Sequence, residues 1–392
     1  VPPERARAFA PGRVNLIGEH TDYNGGVALP FAISRGIVVD ALASEDARVS
    51  ARALDFDQED SFSLHDRERV DDWRAFVRGA VAELTDAGLP PPGAHLQIGG
   101  DLPRGAGLSS SAALEVALSL ALLALAGVSV DGEPVAAGND VAAGADAATR
   151  GDAAADGGGD AVATTGSRRI GRLALARLCA RVENEWVGAQ TGMLDQLASL
   201  FGVDEHALLI DFAMLDSDDA PARAIEPVPL RLGGWRLVVL DSGERHSHAG
   251  GAYNERRAEC ARACELIGVE TLSEARFGDV ARLPSPLRQR AEHVQFENER
   301  VRAATNALRD DDLQQLGELL NASHTSLRDR YAVSTPAIEA TVARLLGAGA
   351  TGARIVGGGF GGCVLALFAP DVQPPVDALE VRPGPGAHVL DV

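Results

Sequence analysis

Gly105-Ala106-Gly107-Leu108-Ser109-Ser110-Ser111, running straight into Ala112-Ala-Leu-Glu-Val-Ala-Leu-Ser-Leu-Ala-Leu-Leu-Ala-Leu125, is a glycine- and serine-rich loop that opens a helix. The helix is apolar almost all round, broken by Glu115 and Ser119, so it must be buried centrally. It is also too short and too interrupted to span a bilayer. Glycines let a backbone approach a ligand closely, and a helix N-terminus offers unpaired N–H groups with partial positive charge. Together they make a phosphate cradle, and a serine at the helix start can ligate Mg²⁺. Simple serine capping accounts for the same pattern nearly as well.

The rest of the chain restricts what such a cradle could serve. Among 392 residues there are 56 acids and 36 basic side chains, all of them Arg, giving a net charge of −20. With no Lys, a Walker A lysine, a kinase strand lysine and a Schiff-base lysine are all excluded. The acidic balance disfavours nucleic acid as a partner. Four Cys without a Cys-x-x-Cys form neither a disulfide framework nor a standard zinc site. The chain opens Val1-Pro2-Pro3-Glu4-Arg5, without a charged then apolar leader pattern, so a reduced cytoplasmic setting and no membrane partner are expected.

Upstream of the cradle, Gly26 to Arg52 reads as strands, Asp71 to Leu89 as a helix, and Ala94 to Ile98 as an alternating, half-buried strand. Downstream, about 131–169 is dominated by Ala, Gly and Asp with no apolar period, and reads as an acidic surface insertion, disordered in its middle. Periodicity resumes at Ile170 in a helix that carries Glu183 and runs to Trp186. Further strands are expected at Ala207–Phe212, Trp235–Leu240, Ala353–Val356 and Cys363–Phe368, and helices at Ala252–Ile267, Leu287–Leu308 and Leu313–Leu327. This mixture in both halves indicates an α+β class with two domains.

Two more motifs frame the cradle. Pro11-Gly-Arg-Val-Asn-Leu-Ile-Gly-Glu-His-Thr-Asp-Tyr-Asn-Gly25 crowds Arg13, Asn15, Glu19, His20, Asp22 and Asn24 into one loop. Carboxylates and a histidine converging this way suit a polyhydroxylated ligand, whose hydroxyls both donate and accept; a salt-bridged turn is the bland alternative. Gly357-Gly-Gly-Phe-Gly-Gly362 puts five glycines in six positions between two strands, which weakens a hairpin unless the backbone must lie close to something. Asp195 sits between apolar Leu194 and Leu197, where an acid needs a partner, and Arg13 is available to it.

In this order the three motifs resemble those of the galactokinases, within the GHMP small-molecule kinase superfamily. Gly192-Met-Leu-Asp-Gln196, Tyr253-Asn-Glu-Arg-Arg257 and the following Glu259-Cys260 extend the resemblance, which runs from Ala10 to about Phe368. The resemblance implies a two-domain GHMP kinase fold of mixed sheets and helices, with the active site in the cleft between domains. It divides the chain into 1–192, joined by the C-terminal strand 376–392, and 193–375. It assigns Glu19, His20, Thr21 and Asp22 to the sugar site, with Tyr253 contributing from the second domain. Gly105, Ala106, Gly107, Leu108, Ser109, Ser110 and Ser111 would hold the ATP phosphates, and Ser111 with Glu183 would hold Mg²⁺. Asp195 is the implied proton acceptor and Arg13 the transition-state stabiliser. Tyr253 as an interface aromatic and Glu183 as an exposed helix acid remain the plain alternatives. The implied reaction is ATP plus D-galactose giving galactose 1-phosphate and ADP, the first committed step of galactose catabolism, in a cytoplasmic monomer. The rivals are a 1-kinase for arabinose, galacturonate or N-acetylgalactosamine, and a catalytically silent galactose/ATP sensor.

Overall fold

The first strand, Arg5–Asn15, turns Ala6, Ala8 and Ala10 into the interior with the two-residue period of a pleated strand. It pairs antiparallel with Pro30–Ser44, and the register shifts between Pro11 and Arg13. An irregularity there bends the strand and re-aims Arg13, whose N–H donates to Leu108 O at 3.0 Å. The computed structural model that shows this describes residues 2–103, 107–131, 168–189, 191–215, 223–244 and 249–391. Gly105, Ala106 and the stretch 132–167 lie outside the described residues.

The larger sheet has six strands in the order His388–Leu390, Arg5–Asn15, Pro30–Ser44, Gly93–Gly100, Arg48–Ala53 and Gln58–Ser63. Helix Ser110–Leu125 packs across Arg5–Asn15 and Pro30–Ser44, flanked by helices Trp73–Asp86, Arg172–Arg181 and Leu194–Phe201. Its near-continuous apolar surface is matched by burial on every side, including Val116, Leu118, Leu120 and Leu122.

The second sheet orders Gly352–Ile355, Cys363–Phe368, Arg236–Asp241 and Leu379–Val381. Leu237, Val239, Leu365 and Leu367 face a core shared with Val14 of the first strand, Leu16 just after it and Phe31 of strand Pro30–Ser44. Val238, Leu240, Val364, Ala366 and Phe368 point the other way, into a core with helices Ala249–Ile267, Leu287–Arg309 and Pro336–Gly347. Both faces are covered, so these strands read as continuous apolar runs.

Several expectations are revised. The first motif is not all loop, because Pro11–Asn15 completes a strand. The insertion expected at 131–169 begins and ends in structure: Val128–Asp131 pairs in parallel with Arg168–Gly171, which removes Asp131, Arg168 and Arg169 from it. The helix expected from Ile170 starts at Arg172 and becomes a π-helical turn at Val182–Val187. The boundary at 192 cuts a packed core, since Leu197, Leu200, Phe201, Ile210 and Ile225 all join the core of the first sheet. The C-terminal segment is also split: Leu379–Val381 joins the second sheet, and His388–Leu390 alone pairs with Arg5–Asn15.

Candidate active site

Asp195, in the first turn of helix Leu194–Phe201, is gripped from two directions. Arg13 donates to it as a fork, Nε to Oδ1 at 2.6 Å and Nη2 to Oδ2 at 2.6 Å. Ser109 Oγ donates to the same Oδ2. Ser109 holds a left-handed φ of 60° and makes no side-chain cap, so its hydroxyl serves Asp195 and not the helix end. Arg13 Nη1 also donates to Gly107 O at 2.8 Å, tying the cradle to the first strand. Bidentate charge-assisted bonds of this kind fix orientation as well as adding energy.

Beside this pair lies a second group of acids. Ser111 Oγ donates to Glu183 Oε1 at 2.9 Å. Glu183 Oε2 accepts from Thr191 Oγ1 at 2.9 Å and Gln196 Nε2 at 2.8 Å, and Gln196 Nε2 also reaches Glu115 Oε2 at 3.1 Å. Glu183 is buried, supplied by the π-helical turn, and is not the exposed helix acid that its sequence context allows. Burial, and then the nearby Asp195, push its carboxyl above the usual range. Burial and Glu183 push Glu115 higher still. The group is short of positive charge, and Ser111 and Glu183 are hard oxygen donors, so a divalent cation fits it. Among the described residues no group of three or more His, Cys, Asp or Glu is arranged to hold a metal. Ser111 and Glu183 offer the one or two hard oxygen donors that a Mg²⁺ ion takes from protein, its shell being completed by phosphates and water.

At the other end stand the residues of the first motif. Glu19, His20 and Asp22 line a cavity of about 450 Å³ together with Tyr253, Arg13, Asp195, Glu183, Gly107 to Ser111 and the glycines from Gly357. Thr21 is the exception. It is wholly buried, absent from the cavity wall, and its hydroxyl is committed to Gly18 O and Val27 O at 2.8 Å each. Thr21, expected in the sugar site, uses its hydroxyl to hold the loop's shape. Glu19 accepts from Asn15 Nδ2 at 2.6 Å, Gly357 N at 2.8 Å and Arg354 Nη2. Burial pushes its carboxyl up and Arg354 opposes the rise. His20 stacks on Tyr331 with ring centroids 4.5 Å apart and lies 5.5 Å from Tyr253. Burial, then His293 and Arg354, hold it well below the usual histidine range, so it is neutral at pH 7. Asp22 is pushed up to about 6, by burial first and then by Asp195.

Two glycines explain themselves by contact. A Cβ on Gly192 would sit 1.8 Å from Asp22 Oδ2, and one on Gly358 would sit 2.9 Å from Tyr253 Cδ2. The third motif therefore does lie against something, as its composition required: Tyr253 on one side and the Glu19 carboxylate on the other. Sequence reasoning missed Arg354, Gln196, Thr191 and Tyr331. Arg354 left one clue, a lone cation among Ala353, Ile355 and Val356 in an apolar strand.

Comparison with known proteins identifies the family. The galactokinase galactose-binding signature matches residues 2–41, the GHMP kinases N-terminal domain 75–166, and the GHMP kinases C-terminal domain 304–382. A galactokinase of Mycobacterium tuberculosis is 40% identical over 369 residues, covering 92% of this chain and 88% of its own. One from Chloroflexus aurantiacus is 38% identical over 400 residues, covering 98% and 90%. Among solved structures, Lactococcus lactis galactokinase complexed with galactose superposes with a TM-score of 0.80 at 28% identity, covering 99% of this chain and 95% of its own. A mevalonate kinase at 15% identity, covering 96% and 98% with a TM-score of 0.61, shares the fold. On these similarities, the chain belongs to the galactokinase family of the GHMP kinases.

Proposed function

We propose that the protein transfers the γ-phosphoryl group of ATP to the anomeric hydroxyl of D-galactose, giving galactose 1-phosphate and ADP. The observation that carries this reading is the Arg13–Asp195–Ser109 cluster, which lines one cavity with both the glycine cradle and the first motif. Glu19 and Asp22 accept from sugar hydroxyls, and Tyr253 packs against the sugar from the second half of the chain. Asp195 takes the anomeric hydroxyl proton as that oxygen bonds to the γ-phosphorus, and the bond from phosphorus to the β–γ bridging oxygen breaks to release ADP. The transition state of phosphoryl transfer is loose, so positioning and charge neutralisation supply most of the acceleration. Arg13 and the N-terminus of helix Ser110–Leu125 provide the fixed positive charge. When bound, Mg²⁺ would be held by Ser111 and Glu183 and would neutralise charge on the phosphates.

Cys179, Cys260, Cys264 and Cys363 are all buried thiols outside any disulfide, which supports a reducing, cytoplasmic setting. Among the described residues no helix is long and apolar enough to cross a membrane. A coupled ADP-release assay with galactose, arabinose, galacturonate and N-acetylgalactosamine tests the substrate. The highest kcat/KM is expected for galactose, because a site built to hydrogen-bond a hydroxyl rejects an analogue lacking it by up to ~10⁴-fold. Preference for another sugar would reassign the substrate, and binding without ADP release would support a sensor.

A further inference from the structure

Glu19 has more partners than a sugar-binding carboxylate needs. Its Oε2 accepts from Asn15 Nδ2 at 2.6 Å and from Arg354 Nη2, which fills the acceptor capacity of that oxygen. Its Oε1 accepts from Gly357 N at 2.8 Å, which leaves that atom one acceptor position. Since Glu19 lines the cavity, that one position is what a ligand hydroxyl can meet.

Arg354 is the residue that imposes this arrangement. It is wholly buried and rises from strand Gly352–Ile355 of the second sheet. Its Nη1 donates to Asn15 O at 3.0 Å and Leu16 O at 2.8 Å, so one guanidinium holds the end of the first strand and the carboxylate together. A planar fork with several fixed donors can do this, whereas an ammonium cannot. Arg354 is not among the residues that line the cavity. Glu19 without it would be a buried acid lacking its cation, facing the like charge of Glu297.

We propose that Arg354 is a positioning residue of the sugar site: it holds Glu19 so that one Oε1 acceptor position faces the cavity, and thereby sets sugar affinity without touching the sugar. The inference rests on Glu19 being a sugar ligand, as proposed above.

The test compares Arg354→Lys, Glu19→Gln and the double variant, each checked for folding by circular dichroism, with galactose and ATP as ligands. Arg354→Lys is expected to raise the KM and calorimetric Kd for galactose by about tenfold or more, the value of one charge-assisted hydrogen bond. The KM for ATP and kcat at saturating galactose should stay within about twofold. The double variant should bind galactose no more weakly than Glu19→Gln alone, because both changes remove the same interaction. Unchanged galactose affinity in Arg354→Lys, while Glu19→Gln weakens it, overturns the inference and leaves the sugar site intact. Additive losses, equal damage to ATP binding, or an unfolded Arg354→Lys also overturn it, by assigning Arg354 to the fold. Full galactose affinity in Glu19→Gln would instead remove Glu19 from the sugar site.

Discussion

As a sugar ligand in the proposed function, Asp22 would carry the site's response to pH. Its carboxyl is pushed up to about 6, by burial first and then by the like charge of Asp195. The ionised form can only accept from ligand hydroxyls, while the protonated form gives up part of that acceptor capacity. Falling pH therefore converts an acceptor into a donor as it passes about 6. The KM for galactose should rise below that point while the KM for ATP stays level, and Asp22→Asn should abolish the step. A galactose KM that is flat from pH 7.5 to 5 would place the titration elsewhere. At this scale the sequence was legible wherever several polar residues crowd together, as at Glu19, His20 and Asp22. Thr21 sits in the same run yet turns inward, because its hydroxyl bridges two backbone carbonyls. Arg354 was not legible as a partner, since 335 positions separate it from Glu19.

The elements differ in how far periodicity reveals them. Helix Ser110–Leu125 was evident from its all-round apolar surface, and strands Arg236–Asp241 and Cys363–Phe368 of the second sheet from unbroken apolar runs. The π-helical turn Val182–Val187 was hidden, because Val182 and Trp186 continue the apolar spacing of the preceding helix. That turn nevertheless delivers Glu183 to Ser111, and the short segment after it brings Gly192 against Asp22. Gly192→Ala tests this join. The added methyl would sit 1.8 Å from Asp22 Oδ2, so the carboxylate or the segment must shift. Galactose affinity should fall by about tenfold or more, the cost of a misplaced charge-assisted acceptor, with little change in thermal midpoint. Unaltered affinity would mean the segment yields freely.

At the scale of the whole molecule, the order of the three motifs already implied a cleft, and the structure joins all three around one cavity. The division of the chain was less legible. No composition shift marks the place where the core of the first sheet ends, and it continues through Ile225, while His388–Leu390 returns to pair with Arg5–Asn15. The stretch at 132–167, expected to be an insertion, lies outside the described residues. What unites the molecule is that Arg13 of the first strand and Ser109 of the glycine loop both donate to the carboxylate of Asp195, at the start of helix Leu194–Phe201. The most direct test is the turnover number of Asp195→Asn together with its galactose affinity by calorimetry. The amide is nearly isosteric, so fold and sugar contacts should survive while the proposed proton acceptor is lost. Turnover is expected to fall ~10²–10⁴-fold, with galactose affinity held within about one order of magnitude, ~1.4 kcal/mol. Near-normal turnover in a folded Asp195→Asn variant would contradict the account and leave Asp195 as a buried structural partner of Arg13.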